Sequence, residues 1–191
     1  MGKARLEAFS DGVLAIIITI MVLELRTPAD AGWRGLLDVL PEIGMYVLSF
    51  VIVGIYWNNH HHLCHATERV TGGIMWANLH LLFWLSLIPF TTGWVGHSHL
   101  SAVPTAAYGV VLLACAVAWI VLQGSIIAVQ GRGGRLAAAL GHDAKGKASL
   151  ALYAVAVLLA FANGWIAVGI YAAVAIMWLV PDRRIEATVR A

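Results

Sequence analysis

Charge is what this sequence has least of. Asp, Glu, Lys and Arg make up 12% of its 191 residues, against about a quarter in a soluble domain. Hydrophobic residues reach 61% and the mean hydropathy is +0.83. So few charges cannot coat a water-facing surface, which excludes an ordinary soluble domain and predicts a membrane-integral protein. Cysteine is nearly absent too. Cys64 and Cys115 are the only two and lie far apart, so no disulfide framework is implied. Cys115 sits in an apolar run and reads as a small packing residue. The period-two alternation of a membrane barrel is missing. No small-residue cleavage site follows the first apolar run, so that run is expected to stay as a span rather than act as a removable signal. Nothing asks for a nucleic-acid partner: the formal charge is +2 and the basic loops are short. The stretch Gly131-Arg132-Gly133-Gly134-Arg135 lacks the strand and the Lys-Ser/Thr of a phosphate loop. It reads as a linker that touches anionic lipid.

What the sequence has is long apolar runs, several reaching the roughly 20 residues a helix needs to cross a bilayer. They predict an all-α polytopic protein, one domain over 1–191, with six spans at about 8–25, 37–58, 73–94, 104–129, 148–163 and 165–180. Pro41 falls in the first turns of the second span and Pro89 near the end of the third. Pro104 opens the fourth span, and Pro181 stops the sixth. Asn163-Gly164 marks a tight hairpin between the last two. Basic residues orient the chain. With the N-terminus inside, Lys3, Arg5, Arg69, Arg132, Arg135, Lys145, Lys147, Arg183, Arg184 and Arg190 share the cytoplasmic side, while only Arg26 and Arg34 lie outside. That bias predicts cytoplasmic termini, and the minimal loops suit a prokaryotic inner membrane. Trp57, Trp94 and Trp178 lie near span ends as interfacial anchors. A single six-span unit encloses little, so an ion or solute path is expected at a symmetry axis between subunits.

On a helical wheel of the first span, Phe9, Ile16 and Leu23 form one stripe, flanked by Gly12, Thr19 and Ile20. Ser10 and Asp11 fall on the other side. A lipid-facing stripe and an N-terminal cap would account for these features separately. Neither accounts for the tight grouping of Arg5, Glu7 and Asp11, nor for Trp57-Asn58-Asn59-His60-His61-His62-Leu63-Cys64-His65, which the topology places at the same membrane face. Asn and His supply hydrogen-bond donors that keep a desolvated carboxylate ionised. The expectation is that Ser10 and Asp11 bond directly to some of Asn58, Asn59, His60 and His61. The polar pair would then hold the back of the helix while its apolar front faces something else. A competing reading of this cluster is a metal site built from His61, Cys64 and His65, three ligands on one helical face. His80, His97, His99 and His142 offer no evident fourth ligand, and no metal is expected.

Arg5-x-x-x-Phe9-Ser10-Asp11 ahead of an isoleucine-rich helix resembles the signature of the lysosomal potassium channel family (transmembrane protein 175) and its prokaryotic relatives. Trp57-Asn58-Asn59-His60-His61 resembles that family's second-helix end. The resemblance implies a channel permeable to potassium and other monovalent cations, with no cofactor and no enzymatic activity. Because this chain holds one six-span unit, it further implies a homotetramer with four first helices around the pore. The family's apolar constriction lies eleven residues after the motif arginine, which here is Ile16. Ile20 and Leu23 would form the next layers outward, and Thr19 matches a family threonine implicated in ion preference. The implied activity is leak-like, with modest preference for potassium over sodium; the proton permeation of animal members is not carried over.

Three other classes remain. A secondary transporter would show charges or broken helices near the midplane; Asn78, His80 and Gln123 are the best polar candidates, and packing suits them equally. A metal-binding membrane protein would use the His60–His65 cluster. An intramembrane enzyme would need a nucleophile beside a base, and Ser49, Ser86 and Ser125 have no evident partner. Thr91-Thr92-Gly93-Trp94-Val95-Gly96 is only a faint likeness of a carbonyl-lined potassium filter, in the wrong order and with no re-entrant segment to hold it.

Overall fold

Leu6, Ser10, Leu14, Ile17 and Met21 recur every three or four residues in the first helix, and they are its buried side chains. The same logic builds the rest of an all-helical bundle. A computed structural model describes residues 2–131 and 143–179. In chain order the helices are α1 (Lys3–Leu23), α2 (Trp33–His65), α3 (Gly72–Leu85), α4 (Ile88–His97), α5 (Ala102–Gln130), α6 (Ala144–Leu159) and α7 (Gly164–Leu179). Three of them, α1, α2 and α5, are long and apolar enough to cross a membrane, and so is the α3–α4 stretch Gly72–His97. The helix α7 is apolar but shorter. Arg132, Arg135, Pro181, Arg183, Arg184 and Arg190, used above to orient and bound the spans, lie outside the described residues, as does His142.

The third span departs from its expected form. It breaks midway, at Ser86 and Leu87, and Pro89 sits in the first turn of a new helix. Proline lacks the N–H for an intrahelical bond and crowds the carbonyl four residues back, here that of Leu85. The Ser86 hydroxyl closes the turn by donating to the Phe83 carbonyl at 2.7 Å.

Between helices the glue is partly polar, as suits a solvent with no hydrophobic drive between spans. Ser49 on α2 shares hydrogen bonds with Thr92 on α4 at 2.7 Å and with the Tyr108 hydroxyl on α5 at 2.9 Å. The contact of α5 with α6 and α7 is tightly fitted. The Tyr171 hydroxyl donates to the Thr105 carbonyl at 3.2 Å, and Gly109 lies under that ring with no room for a Cβ beside it or beside Val157. Cys115 is fully buried in α5.

Candidate functional site

The antiparallel pair α1 and α2 is tied at one end by three direct links and one that runs through α3, in order along α1. The Lys3 ammonium donates to the His65 carbonyl at 2.9 Å. Glu7 Oε1 lies 3.0 Å from His61 Nδ1. Ser10 enters a buried network, and the Trp57 indole N–H donates to Asp11 Oδ1 at 3.0 Å.

The buried network has a partner that the sequence reading left to packing. Asn78 on α3 donates its amide to Ser10 Oγ at 2.9 Å, and Ser10 donates its own proton to the Leu6 carbonyl at 2.9 Å. Asn78 Oδ1 then faces His60 Nε2 at 2.8 Å. Complementarity assigns the imidazole proton to Nε2. Its Nδ1 is left to accept from the Cys64 thiol at 3.6 Å. Ser10, His60 and Asn78 are each at most 2% exposed. Ser10 and Asp11 therefore make no direct bond to Asn58, Asn59, His60 or His61. The link from Ser10 to His60 runs through Asn78, and Asp11 is held by Trp57. Among the described residues, Asn58 is exposed and Asn59 half-buried, and neither makes a side-chain hydrogen bond. Arg5 is exposed. His80 accepts from the Trp84 indole at 2.9 Å.

The opposite face of α1 is uncovered. Phe9 is 50% exposed, Ile16 58%, Ile20 41% and Leu23 80%, and Thr19 is exposed among them. The Thr19 hydroxyl gives its proton back to the Ile16 carbonyl at 2.9 Å. Its oxygen is thereby presented outward as an acceptor, the polarity a cation needs. A groove runs beside this face, lined by Ile16, Ile20, Glu24, Ser86, Pro89 and Phe90 among others. The α3–α4 break thus lies across from the apolar stripe of α1.

At the C-terminal end of α1 a buried carboxylate appears that the sequence reading did not single out. Glu42, in the first turns of α2, is 4% exposed. It accepts from Arg26 Nε at 2.9 Å and from Arg26 Nη2, and it lies 3.6 Å from His97 Nε2 on α4. The bond to Glu42 raises the Arg26 guanidinium further above its ordinary value. The signal was present: Glu42 stands three residues after Val39 and three before Met45, on the face that α2 buries. Arg26 is thus engaged with Glu42, and Glu24, the C-cap of α1, stands exposed beside the groove.

The sequence model of the family described as endosomal/lysosomal potassium channel TMEM175 matches residues 5–89, which include the Arg5–Asp11 motif, the histidine cluster and Asn78. A potassium channel of Chryseobacterium sp. (strain P1-3) is 49% identical over 190 residues, covering 100% of this chain and 99% of that one. A potassium channel of Streptomyces collinus is 36% identical over 125 residues, 61% of each chain. The crystal structure of a lysosomal potassium-selective channel TMEM175 homolog from Chamaesiphon minutus superposes with a TM-score of 0.76 at 28% identity, covering 94% of this chain and 97% of that one.

Proposed function

We propose, on the premise that this chain belongs to the TMEM175 family of potassium channels, that it conducts potassium along the exposed face of α1 at the centre of a homotetramer. The family is one of channels, not enzymes. The observation that carries the reading is the two-sidedness of α1: one face is buried to the last residue in its own bundle, while Ile16, Ile20 and Leu23 are left open. Four such faces around an axis would cover one another and enclose a path. The groove between α1 and the α3–α4 break gives a neighbouring first helix a place to seat.

In this arrangement Ile16 is the constriction. A ring of isoleucines offers no oxygen to replace an ion's water, so conduction requires the ring to widen and wet, and closure follows from dewetting. Potassium holds its hydration water less tightly than sodium, so a narrow apolar ring favours potassium modestly. The outward Thr19 oxygen adds an acceptor one turn on. Ser10, Asn78 and His60 anchor the back of the helix, and Asp11 and Trp57 fix its rim. The N-terminus is placed in the cytoplasm of a cell with this protein in its inner membrane, on the strength of the basic-residue bias.

Glu24 lies at the outer mouth in this reading. With Arg26 bound to Glu42, the Glu24 charge is left to attract cations. Glu24→Gln is expected to lower potassium flux at low ionic strength and to have little effect at high salt, where the Debye length falls to about 3 Å at 1 M. Equal losses at both salt concentrations would remove Glu24 from the mouth.

The function itself is tested by reconstituting the purified protein in liposomes and following potassium and sodium flux side by side. Potassium flux exceeding sodium flux is expected. No flux of either ion would overturn the channel reading and favour the transporter class, to which the break between α3 and α4 would then belong.

A further inference from the structure

We propose that Glu7, His61 and His65 form a binding site for a divalent transition-metal ion of zinc's class, where α1 begins and α2 ends. His61 and His65 are one turn apart on α2, so their rings share a face, with centroids 4.4 Å apart. Glu7 reaches across from α1. One ligand atom from each of the three residues lies within 4.8 Å of the other two. Zinc bonds of about 2.1 Å in a tetrahedron set ligand atoms about 3.4 Å apart, so small side-chain adjustments close the site. Two imidazoles with one carboxylate form a nitrogen-rich set that suits zinc, whereas magnesium and calcium prefer oxygen throughout. Water takes the fourth position.

The set differs from the one the sequence suggests. Cys64 turns inward to His60 at 3.6 Å, and Glu7, a residue inside the first-helix motif, stands in its place. Lys3 is the adverse charge nearby, and its ammonium is held on the His65 main-chain carbonyl. Asp11, one turn further along α1, is occupied by Trp57. A bound ion would add a coordinate bridge between α1 and α2 in each subunit. The site rests on contacts within a single chain and stands whether or not α1 lines a pore.

The test is a zinc titration of the purified full-length protein in detergent, read by calorimetry and by the thermal unfolding midpoint. Saturable binding of one zinc per subunit is expected, with a raised midpoint. Glu7→Gln, His61→Ala and His65→Ala should each weaken binding about tenfold or more, and His62→Ala should leave it unchanged. His65 is exposed and its side chain makes no hydrogen bond among the described residues, so His65→Ala keeps the fold and serves as the decisive variant. No saturable binding, unchanged affinity in His65→Ala or Glu7→Gln, or equal loss in His62→Ala would each overturn the site.

Discussion

Ile16→Asn is expected to raise potassium flux several-fold in liposomes and to bring potassium and sodium fluxes close to equality. The effect follows from the chemistry of the proposed ring of four Ile16 side chains. An asparagine amide carries both an acceptor oxygen and two N–H donors, so four of them hold water where four isoleucines expel it. The energy of dewetting that closes the path is lost, and with it the modest advantage of the ion that sheds water more readily. The substitution leaves the bundle intact, because Ile16 is 58% exposed in the single subunit. Its neighbour gives the contrast. Ile17 is 3% exposed, and Ile17→Asn would bury an unpaired amide at a cost of about 1–3 kcal/mol, with lost packing besides. That variant should be recovered in lower yield with lower stability, without a gain in flux per folded channel. If Ile16→Asn leaves both rate and ion preference untouched, Ile16 is not the constriction.

Asn78→Leu is expected to lower the unfolding midpoint of the purified protein clearly, whereas Trp57→Phe lowers it little. Asn78 joins three helices: it donates to Ser10 on α1 and accepts from His60 on α2. Leucine in its place leaves a buried imidazole N–H unpaired, worth about 1–3 kcal/mol. Measured interhelical hydrogen bonds in membranes average nearer 0.6 kcal/mol, so the lower part of that range is expected. The Trp57–Asp11 bond is exposed and water or headgroups replace it. Because the Asn78 network holds the rear of α1, the loss should also reach the proposed pore: Asn78→Leu channels should leak more sodium relative to potassium. A midpoint equal to that of Trp57→Phe would show that Asn78 carries no more than the rim contact does.

The contrast between these residues also shows what could be read from the chain. The buried face of α1 was legible, because one helix repeats its pattern every three or four residues and the wheel needs no partner to draw it. The stripe of Ile16, Ile20 and Leu23 opposite Ser10 is the face that the fold leaves open. What was not legible came from other elements. Asn78 lies 68 residues from Ser10, and no local pattern distinguishes a polar residue that bridges from one that merely packs. Glu7 stands out in its group with Arg5 and Asp11, yet its nearness to His61 and His65 depends on the register of α1 against α2. Pro89 reads from sequence as near the end of a span, but it restarts one, because a proline ends the helix ahead of it and suits the first turn of the next. Glu42 could have been found from its spacing on the buried face of α2; Arg26, its partner across the turn, could not.

The central claim is that the open face of α1 lines the ion path, and thiol labelling tests it most directly. The two native cysteines, Cys64 and Cys115, are buried, so an introduced thiol dominates the reaction. In Ile16→Cys, a bulky thiol reagent should abolish potassium flux in liposomes. In Leu158→Cys, on α6 and 73% exposed, the same labelling should leave flux unchanged. Potassium flux that continues undiminished through fully labelled Ile16→Cys protein would contradict the account.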